Sequence, residues 1–286
     1  MRTHFTATWV ALLLLIASCA GVAWAEDAGR KRIEPASACH SLAIHPAQTE
    51  HWEASLSDVE EVLCSAAHEL WQFFPGRSLP PILVEPRGGP IVLYRRGPQE
   101  EIRVRLDTGK LYWAQYAFQF AHEFGHILCN YREHDDGNKW FEESLCETAS
   151  LFALRGMAAT WKTDPPYPNW RDYAPALQKY ADRRIAEVHL SEDTTLAGWY
   201  RLHESELRSD PCLRRLNRVV AAELLPLFEK RPRRWEAVAY LNLGEKQPSR
   251  SFQEYLQGWW QHAPQKHRPF IRRIAKKFGV AWPVKP

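Results

Sequence analysis

The length, composition and charge of the chain exclude several classes of protein. Its 286 residues, 45% of them hydrophobic, are enough to bury a substantial core, so the chain is not intrinsically disordered. Its formal net charge is +3, and it carries no zinc finger or arginine-glycine repeat, so we expect no nucleic-acid partner.

The first 25 residues have the pattern of an export signal. An apolar run from Trp9 to Val22 is followed by Ala23-Trp24-Ala25, which is typical of a signal-peptidase site. We therefore predict an extracytoplasmic protein, periplasmic or secreted, cleaved after Ala25. The alternative is a lipoprotein anchored at Cys19, because Ile16-Ala17-Ser18-Cys19 resembles a lipobox, but an apolar segment rather than a polar tether would follow that cysteine. No later stretch approaches the ~18 apolar residues that a membrane span needs.

The next region, residues 26–50, is interpreted as a loosely attached leader, because it has few apolar groups and no period. Ordered structure is expected from near His51. A helix follows, since Ser57 and Glu60 form a capping-box pattern and apolar residues then recur at helical spacing as far as Phe74. Pro75-Gly76 ends this helix.

Three short strands are predicted next, at residues 82–85, 91–95 and 101–106, separated by segments rich in glycine and proline. In the third strand Ile102 and Val104 alternate with arginines, so one face is expected to pack on a core while the other faces out. A small sheet is therefore expected ahead of the next helix.

The helix predicted at residues 111–131 carries the most informative motif of the chain, His122-Glu123-Phe124-Gly125-His126. Two histidines four residues apart project from one face of a helix and can reach one zinc ion, while Glu123 can act on a metal-activated water. The rest of the helix is apolar on nearly all sides. Burying these groups without partners would cost on the order of several kcal/mol, which a metal offsets. Gly125 inside a helix indicates a close approach of another backbone.

The following helix, predicted at residues 139–155, offers three glutamates between Trp140 and Glu147. This segment resembles the gluzincin branch of zinc metallopeptidases, in which a helix after the H-E-x-x-H helix supplies a glutamate ligand. Cys146 stands where that family usually has alanine. The positions that match the family pattern are Trp140, Glu143, Ser144, Leu145 and Glu147.

The resemblance implies a site for one Zn2+ ion held by His122, His126 and Glu143, with Glu123 as the general base. It also implies that Glu147 hydrogen-bonds the outer nitrogen of the first histidine and so orients its ring. The opposite assignment, with Glu147 as the ligand and Glu143 as its helper, stays open, because the entry angle of the helix is unknown.

Other residues near the motif receive different interpretations. Glu142 falls on another face of its helix and is expected to complement the N-terminal helix dipole. His134, in a charged loop, is expected to be solvated. A metzincin site is excluded, since Cys129 and Arg132 stand where it needs glycine and histidine. An oxyanion donor is expected among the downstream candidates Tyr173, Tyr180, His189, Tyr200 and His203.

The expected fold class is α+β. A zincin-like core is expected at residues 51–160, built from a helix, a small mixed sheet, the motif helix and the glutamate helix. An all-α C-terminal region is expected at residues 161–286, where tryptophans and basic residues are frequent. The resemblance further implies that the strand at residues 101–106 lies at the edge of the cleft and pairs with extended substrate.

Five cysteines follow residue 25, so at least one thiol is unpaired within a monomer. Cys129 and Cys146 each lie three residues beyond a predicted ligand. A disulfide between them and two free buried thiols are both consistent with this spacing.

Positive charge is concentrated near the C-terminus, where residues 226–286 hold thirteen Lys or Arg against four Glu. One interpretation is a peripheral contact with an anionic envelope surface. The other is an ordinary solvated helix face.

Taken together, these features predict an exported zinc-dependent peptidase that acts on a peptide or protein substrate through Glu123. The competing hypothesis is a non-catalytic envelope protein, in which a structural zinc ion joins two helices and the helical C-terminal domain binds a partner. Glu123 argues against this hypothesis, since a structural site needs no base and favours four protein ligands.

Overall fold

Short strands and long helices build a mixed α+β protein, which confirms the predicted class. The computed structural model describes residues 42–133, 137–188, 190–191, 193–244 and 250–282, which belong to one compact unit. The predicted signal peptide at residues 1–25, the lipobox cysteine and residues 26–41 of the predicted leader lie outside these ranges. Within them, no helix is both long and apolar enough to cross a bilayer.

Four strands form one sheet in the order β1-β2-β4-β3: β1 (Ile44–Pro46), β2 (Ile82–Glu85), β3 (Ile91–Val92) and β4 (Ile102–Arg105). β2 pairs in parallel with β1 and with β4, whereas β3 runs antiparallel to β4. In β4 the apolar residues are buried and the arginines are half-buried, so the predicted alternation is confirmed. The sheet is therefore mixed, and β1 and β3 are its edge strands.

β1 contradicts the interpretation of residues 26–50 as a leader with order beginning near His51. Ile44 is buried and pairs with Ile82 of β2. A strand of three residues is too short for an alternating pattern to stand out, and only its pairing with β2 reveals it.

Three helices build the half of the protein that contains the motif: α1 (Leu56–Trp71), α2 (Trp113–Leu128) and α3 (Lys139–Thr160). The N-cap of α1 is Ser55, whose hydroxyl accepts a hydrogen bond of 3.1 Å from the Asp58 backbone N–H, so the cap predicted at Ser57 was placed two residues too late. α2 ends three residues before its predicted end, and α3 extends five residues beyond.

α2 and α3 pack closely where Gly125 faces Cys146. A Cβ atom added at Gly125 would lie 3.1 Å from both Cα and Sγ of Cys146, which is tighter than ordinary packing. The close approach predicted from a glycine inside a helix is therefore confirmed. It brings the histidines of α2 beside the first two turns of α3.

Cys129 and Cys146 are buried free thiols, so the alternative of a disulfide between them was wrong. Cys212 is also free, and it is exposed. Cys64 on α1 is disulfide-bonded. Cys39 lies outside the described residues.

The region after residue 160 is helical where the structure describes it. Trp140 of α3 packs against the rings of Tyr200, Phe252 and Phe278, so these helices bury their aromatic side chains together with α3. Short 3-10 helices lie at Pro168–Tyr173 and Pro232–Tyr240. The α-helices are α4 (Ala174–Ala186), α5 (Leu196–Ser209), α6 (Arg214–Lys230), α7 (Phe252–His262) and α8 (Arg268–Lys277).

Candidate metal centre

α2 and α3 bring together the three residues that the sequence predicts as metal ligands. One donor atom each from His122, His126 and Glu143 lies within 4.8 Å of the other two. The Nε2 atom of His122 is 3.2 Å from Oε2 of Glu143, and the Nε2 atom of His126 is 3.5 Å from Oε1. The two oxygens of one carboxylate therefore each face one imidazole.

This donor set suits a zinc ion. Ligands at about 2.0–2.2 Å in tetrahedral geometry are separated from one another by roughly 3.3 Å, close to the spacing of these nitrogen and oxygen atoms. Two imidazoles and one carboxylate are also a ligand set that leaves a fourth position open, as in catalytic rather than structural zinc sites. The three side chains could thus hold a metal ion with small movements.

Glu142 lies in the first turn of α3, where the predicted interaction with the helix dipole places it, and it also lies behind His126. It is fully buried, and its Oε1 atom is 2.6 Å from Nδ1 of His126. Its Oε2 atom accepts a hydrogen bond of 2.7 Å from the Asn242 side chain, and Lys139 donates to Oε1. Glu142 and Glu143 are adjacent in α3, and both face His126 of α2. Glu142 therefore orients the His126 ring.

Glu147 lies on the outer side of His122. Its Oε2 atom is 3.8 Å from Nδ1 of His122, while its Oε1 atom is 3.5 Å from Nε of Arg218 on α6. His122 thus presents Nε2 to Glu143 and Nδ1 to Glu147. The structure places Glu147 where an acid could orient the ring, one turn of α3 beyond the three-residue cluster.

The charges around His126 favour a cation. Burial alone lowers the pKa of His126, but the carboxylates of Glu143 and Glu142 outweigh burial and raise it to about 10. Burial raises the pKa of Glu143, yet the imidazoles of His126 and His122 hold it well below its ordinary value. The same negative surroundings that retain a proton on His126 would retain a metal ion in its place.

A cleft of about 820 Å³ opens over the cluster. Glu123 lines it together with the three predicted ligands, although the residue is only 3% exposed. The walls come from β3 and the preceding turn on one side, and from α4 and the start of α6 on the other. The predicted base and the predicted ligands therefore share one solvent-accessible space.

The edge of the sheet beside this cleft is β3, so the prediction for residues 101–106 was wrong. β4 is paired on both sides, with β2 and with β3. Leu93 donates its backbone N–H to Arg103, and the register then directs the N–H and C=O of Val92 away from β4. Gly89, Pro90, Ile91 and Val92 line the cleft.

Of the predicted oxyanion donors, Tyr180 lines the cleft. The hydroxyl of Tyr173 accepts a hydrogen bond from Ala114 N–H, and Tyr200 stacks on Trp140 in the core. The Nδ1 atom of His203 lies 2.8 Å from Oε1 of Glu206. His189 and His134 lie outside the described residues.

Several residues of the cleft were missed by sequence reasoning. Tyr94 and Tyr131 stack on each other with ring centroids 5.8 Å apart, and both line the cleft beside β3. Arg184 and Arg218 come from helices far away in sequence. No local pattern marks the two arginines, because they reach the site only through the packing of α4 and α6 on the motif helices.

Comparisons with models of protein families, with curated proteins and with solved structures identify no match to this chain.

Proposed function

We propose that the protein is an exported zinc-dependent peptidase of the gluzincin type. The observation that carries this proposal is that three suitable donor atoms lie together in a cleft that Glu123 also lines. The chain order of α1, a small sheet, α2 and α3 supports a zincin-like core at residues 51–160. The helices that follow complete one wall of the cleft.

The proposed ligands are Nε2 of His122, Nε2 of His126 and the carboxylate of Glu143. Each oxygen of Glu143 faces one of these nitrogens, which favours Glu143 over Glu147 as the third ligand. Glu147 and Glu142 face the Nδ1 atoms and are proposed to orient the two rings. This arrangement supports zinc, which prefers imidazole and carboxylate donors.

The proposed mechanism is hydrolysis of a peptide bond. When bound, a zinc ion supplies a Lewis acid that acidifies water and polarises a peptide carbonyl. Glu123 takes a proton from the attacking water and delivers it to the departing amine nitrogen. α2 holds Glu123 beside His122, so one rigid helix positions both the proposed base and a proposed metal ligand.

An extended peptide or protein segment is the proposed substrate. The outward-facing backbone groups of Val92 can pair with an extended chain, which is the usual way in which a sheet edge binds a peptide. The cleft volume is within the range of sites that bind small organic ligands, so a short peptide segment can enter it. Tyr180 is the predicted oxyanion donor that the cleft geometry favours.

The alternative function, a non-catalytic protein with a structural zinc ion, has less support. A structural site is closed by four protein ligands, whereas the described cluster has three and faces a wide cleft. Chelation would lower the melting temperature under either hypothesis. Only hydrolysis that depends on Glu123 separates them.

We also propose that the protein is located outside the cytoplasm and that its basic C-terminal region contacts an anionic envelope surface. Each proposal has its own support. The disulfide at Cys64 is typical of an oxidising compartment. Arg231, Arg233, Arg234 and Arg273 surround a second cavity, of about 450 Å³, in the basic C-terminal region. Salt-dependent binding to vesicles containing anionic lipid, absent with neutral vesicles, is the expected result if this surface contacts the envelope.

The test is cleavage of a diverse peptide library by zinc-loaded protein. Glu123→Gln should lower the cleavage rate by about 100-fold or more while zinc content stays unchanged, because only the base is lost. Glu50→Gln, at an exposed position far from the motif in sequence, is the control and should cleave normally. Equal activity of Glu123→Gln and wild type, or no zinc-dependent cleavage at all, would rule the proposal out.

A further inference from the structure

Arg184 of α4 is a cation held firmly at the wall of the cleft. Its guanidinium carbon lies 4.7 Å from the centroid of the Phe118 ring and 5.2 Å from that of Tyr180. Its Nη2 atom donates a hydrogen bond of 2.8 Å to the Tyr180 hydroxyl. Two aromatic rings and a phenol oxygen thus position the side chain, and a pre-ordered donor loses little entropy when it binds a ligand.

The charge of Arg184 is unpaired within the described part of the chain, where no carboxylate lies within ion-pair distance of it. Its buried Nε atom also has no hydrogen-bond partner there. Arg214 is on the exposed rim of the cleft. The other basic residues of the cleft have partners: Lys139 pairs with Glu142, Arg218 with Glu147, and Arg208 donates to Asn138.

Arg184 is also close to the candidate metal centre. Phe118, on which its guanidinium stacks, precedes His122 by four residues of α2. Residues four apart in a helix share a face and are about 6 Å apart along its axis. Consecutive Cα atoms of a peptide are about 3.8 Å apart. A side chain or terminal group on a substrate residue next to the reacting bond can therefore reach Arg184.

We propose that Arg184 binds a carboxylate of the substrate next to the scissile peptide bond and thereby determines specificity. The carboxylate is either an acidic side chain or the C-terminal carboxylate of the peptide. Both offer the planar oxygen pair that a guanidinium binds through two charge-assisted hydrogen bonds. This inference rests on the proposed peptidase function, but the binding preference that it predicts is measurable without catalysis.

The experiment measures peptide binding to zinc-loaded protein carrying Glu123→Gln, so that cleavage does not interfere. The probes are fluorescein-labelled hexa-alanine peptides in which a single residue is replaced by glutamate, at a different position in each peptide. Matched peptides carry glutamine instead, and each peptide is made with a free and with an amidated C-terminus. At least one carboxylate peptide should bind about tenfold or more tightly than its amide counterpart, as expected of hydrogen bonds to a charged group. Tighter binding that follows the glutamate identifies a side-chain carboxylate, and tighter binding that follows the free C-terminus identifies the terminal carboxylate.

Adding Arg184→Gln to this protein should abolish the preference, and Arg184→Lys should restore part of it. Arg183→Gln is the matched control, since Arg183 also stacks on Tyr180, at 5.3 Å, but does not line the cleft. It should leave the preference unchanged. Equal binding of all carboxylate and amide peptides, or a preference that survives Arg184→Gln, would overturn the inference. Absence of cleavage by the wild type would instead count against the proposed function alone.

Discussion

At the scale of single residues, the candidate site depends on which carboxylate faces each imidazole nitrogen. Glu143 faces the two Nε2 atoms, whereas Glu142 and Glu147 face the Nδ1 atoms of His126 and His122. The contact of Glu142 is shorter, 2.6 Å against 3.8 Å for Glu147. We therefore expect the two outer acids to contribute unequally to metal binding.

Glu142→Gln should weaken zinc binding by about 10- to 100-fold, because an amide orients and polarises the His126 ring less well than a carboxylate. Glu147→Gln should have a smaller effect. Competition with a chelating dye measures both affinities, and circular dichroism checks that the variants are folded, since Lys139 loses its charged partner in the first variant. Wild-type affinity in Glu142→Gln would show that the contact does not support the metal site.

At the scale of elements, the site exists because α2 and α3 approach each other closely at Gly125 and Cys146. This contact sets the distance between the histidines on one helix and the glutamates on the other. α1 packs against both helices and buries Glu69 beside α3. Substitutions at these helix contacts should therefore change the stability of the fold.

Gly125→Ala should destabilise the protein by about 1–3 kcal/mol, because its Cβ would meet the Cα and Sγ atoms of Cys146 and force α2 and α3 apart. Urea unfolding measures this change. Gly258→Ala is the matched control: it lies within α7 and would contact only the Arg250 guanidinium at 3.4 Å, so it should be neutral or slightly stabilising. Equal stability of Gly125→Ala and wild type would contradict the packing argument.

Glu69→Gln should stabilise the protein at pH 7 by about 1 kcal/mol. Burial raises the pKa of Glu69 above its ordinary value of 4.5, only partly offset by the hydrogen bond from Thr160. The folded state therefore binds the proton more tightly than the unfolded state, and stability falls as the pH rises from about 4.5 through the folded pKa. Glu69→Gln removes the ionisable carboxyl and therefore this loss of folding stability at higher pH.

Urea unfolding between pH 4 and pH 8 tests the Glu69 prediction. The gain from Glu69→Gln should be present at pH 7–8 and disappear near pH 4, where the native carboxyl is already neutral. Glu50→Gln, at an exposed position, should change stability by less than about 0.5 kcal/mol across the range. A gain that is constant with pH would mean that protonation of Glu69 is not its cause.

At the scale of the whole molecule, the motif helices and the C-terminal helices share one core. Trp140 of α3 is fully buried against rings from α5, α7 and the segment after α8. Asn242, beyond α6, reaches back to Glu142 behind the candidate metal centre. Metal binding should therefore stabilise the described unit as a whole.

Zinc at about 1,000 times its Kd should stabilise the folded state by about 4 kcal/mol and raise the Tm by roughly 10 °C, because the ion binds only the folded arrangement. Differential scanning calorimetry with and without a chelator measures the shift. His126→Ala should remove it, since one of three ligands is lost. An unchanged Tm in wild-type protein would indicate that the three side chains do not hold zinc.

Much of the candidate site was predictable because its signal is local. The spacing of His122 and His126 and the apolar surroundings of α2 are properties of one helix, so the sequence predicts them directly. Glu143 was named by the family resemblance of this helix, and the structure places its carboxylate beside both histidines. The contacts of Glu142, Arg184 and Arg218 were not predictable, because they join residues 16 to 71 positions apart and depend on how helices rotate against one another.

The sequence by itself determined the elements that have a clear period or a distinct motif: the strand at residues 82–85, the three long helices to within a few residues, and the α+β class. Only the tertiary structure decided that β1 joins the sheet, that β3 is the edge strand beside the cleft, that Cys129 and Cys146 are free, and that Arg184 faces the cleft. The physical reason is that hydrophobic periodicity indicates whether a side chain is buried. Which residue that side chain contacts depends on the packing of elements that are distant in sequence.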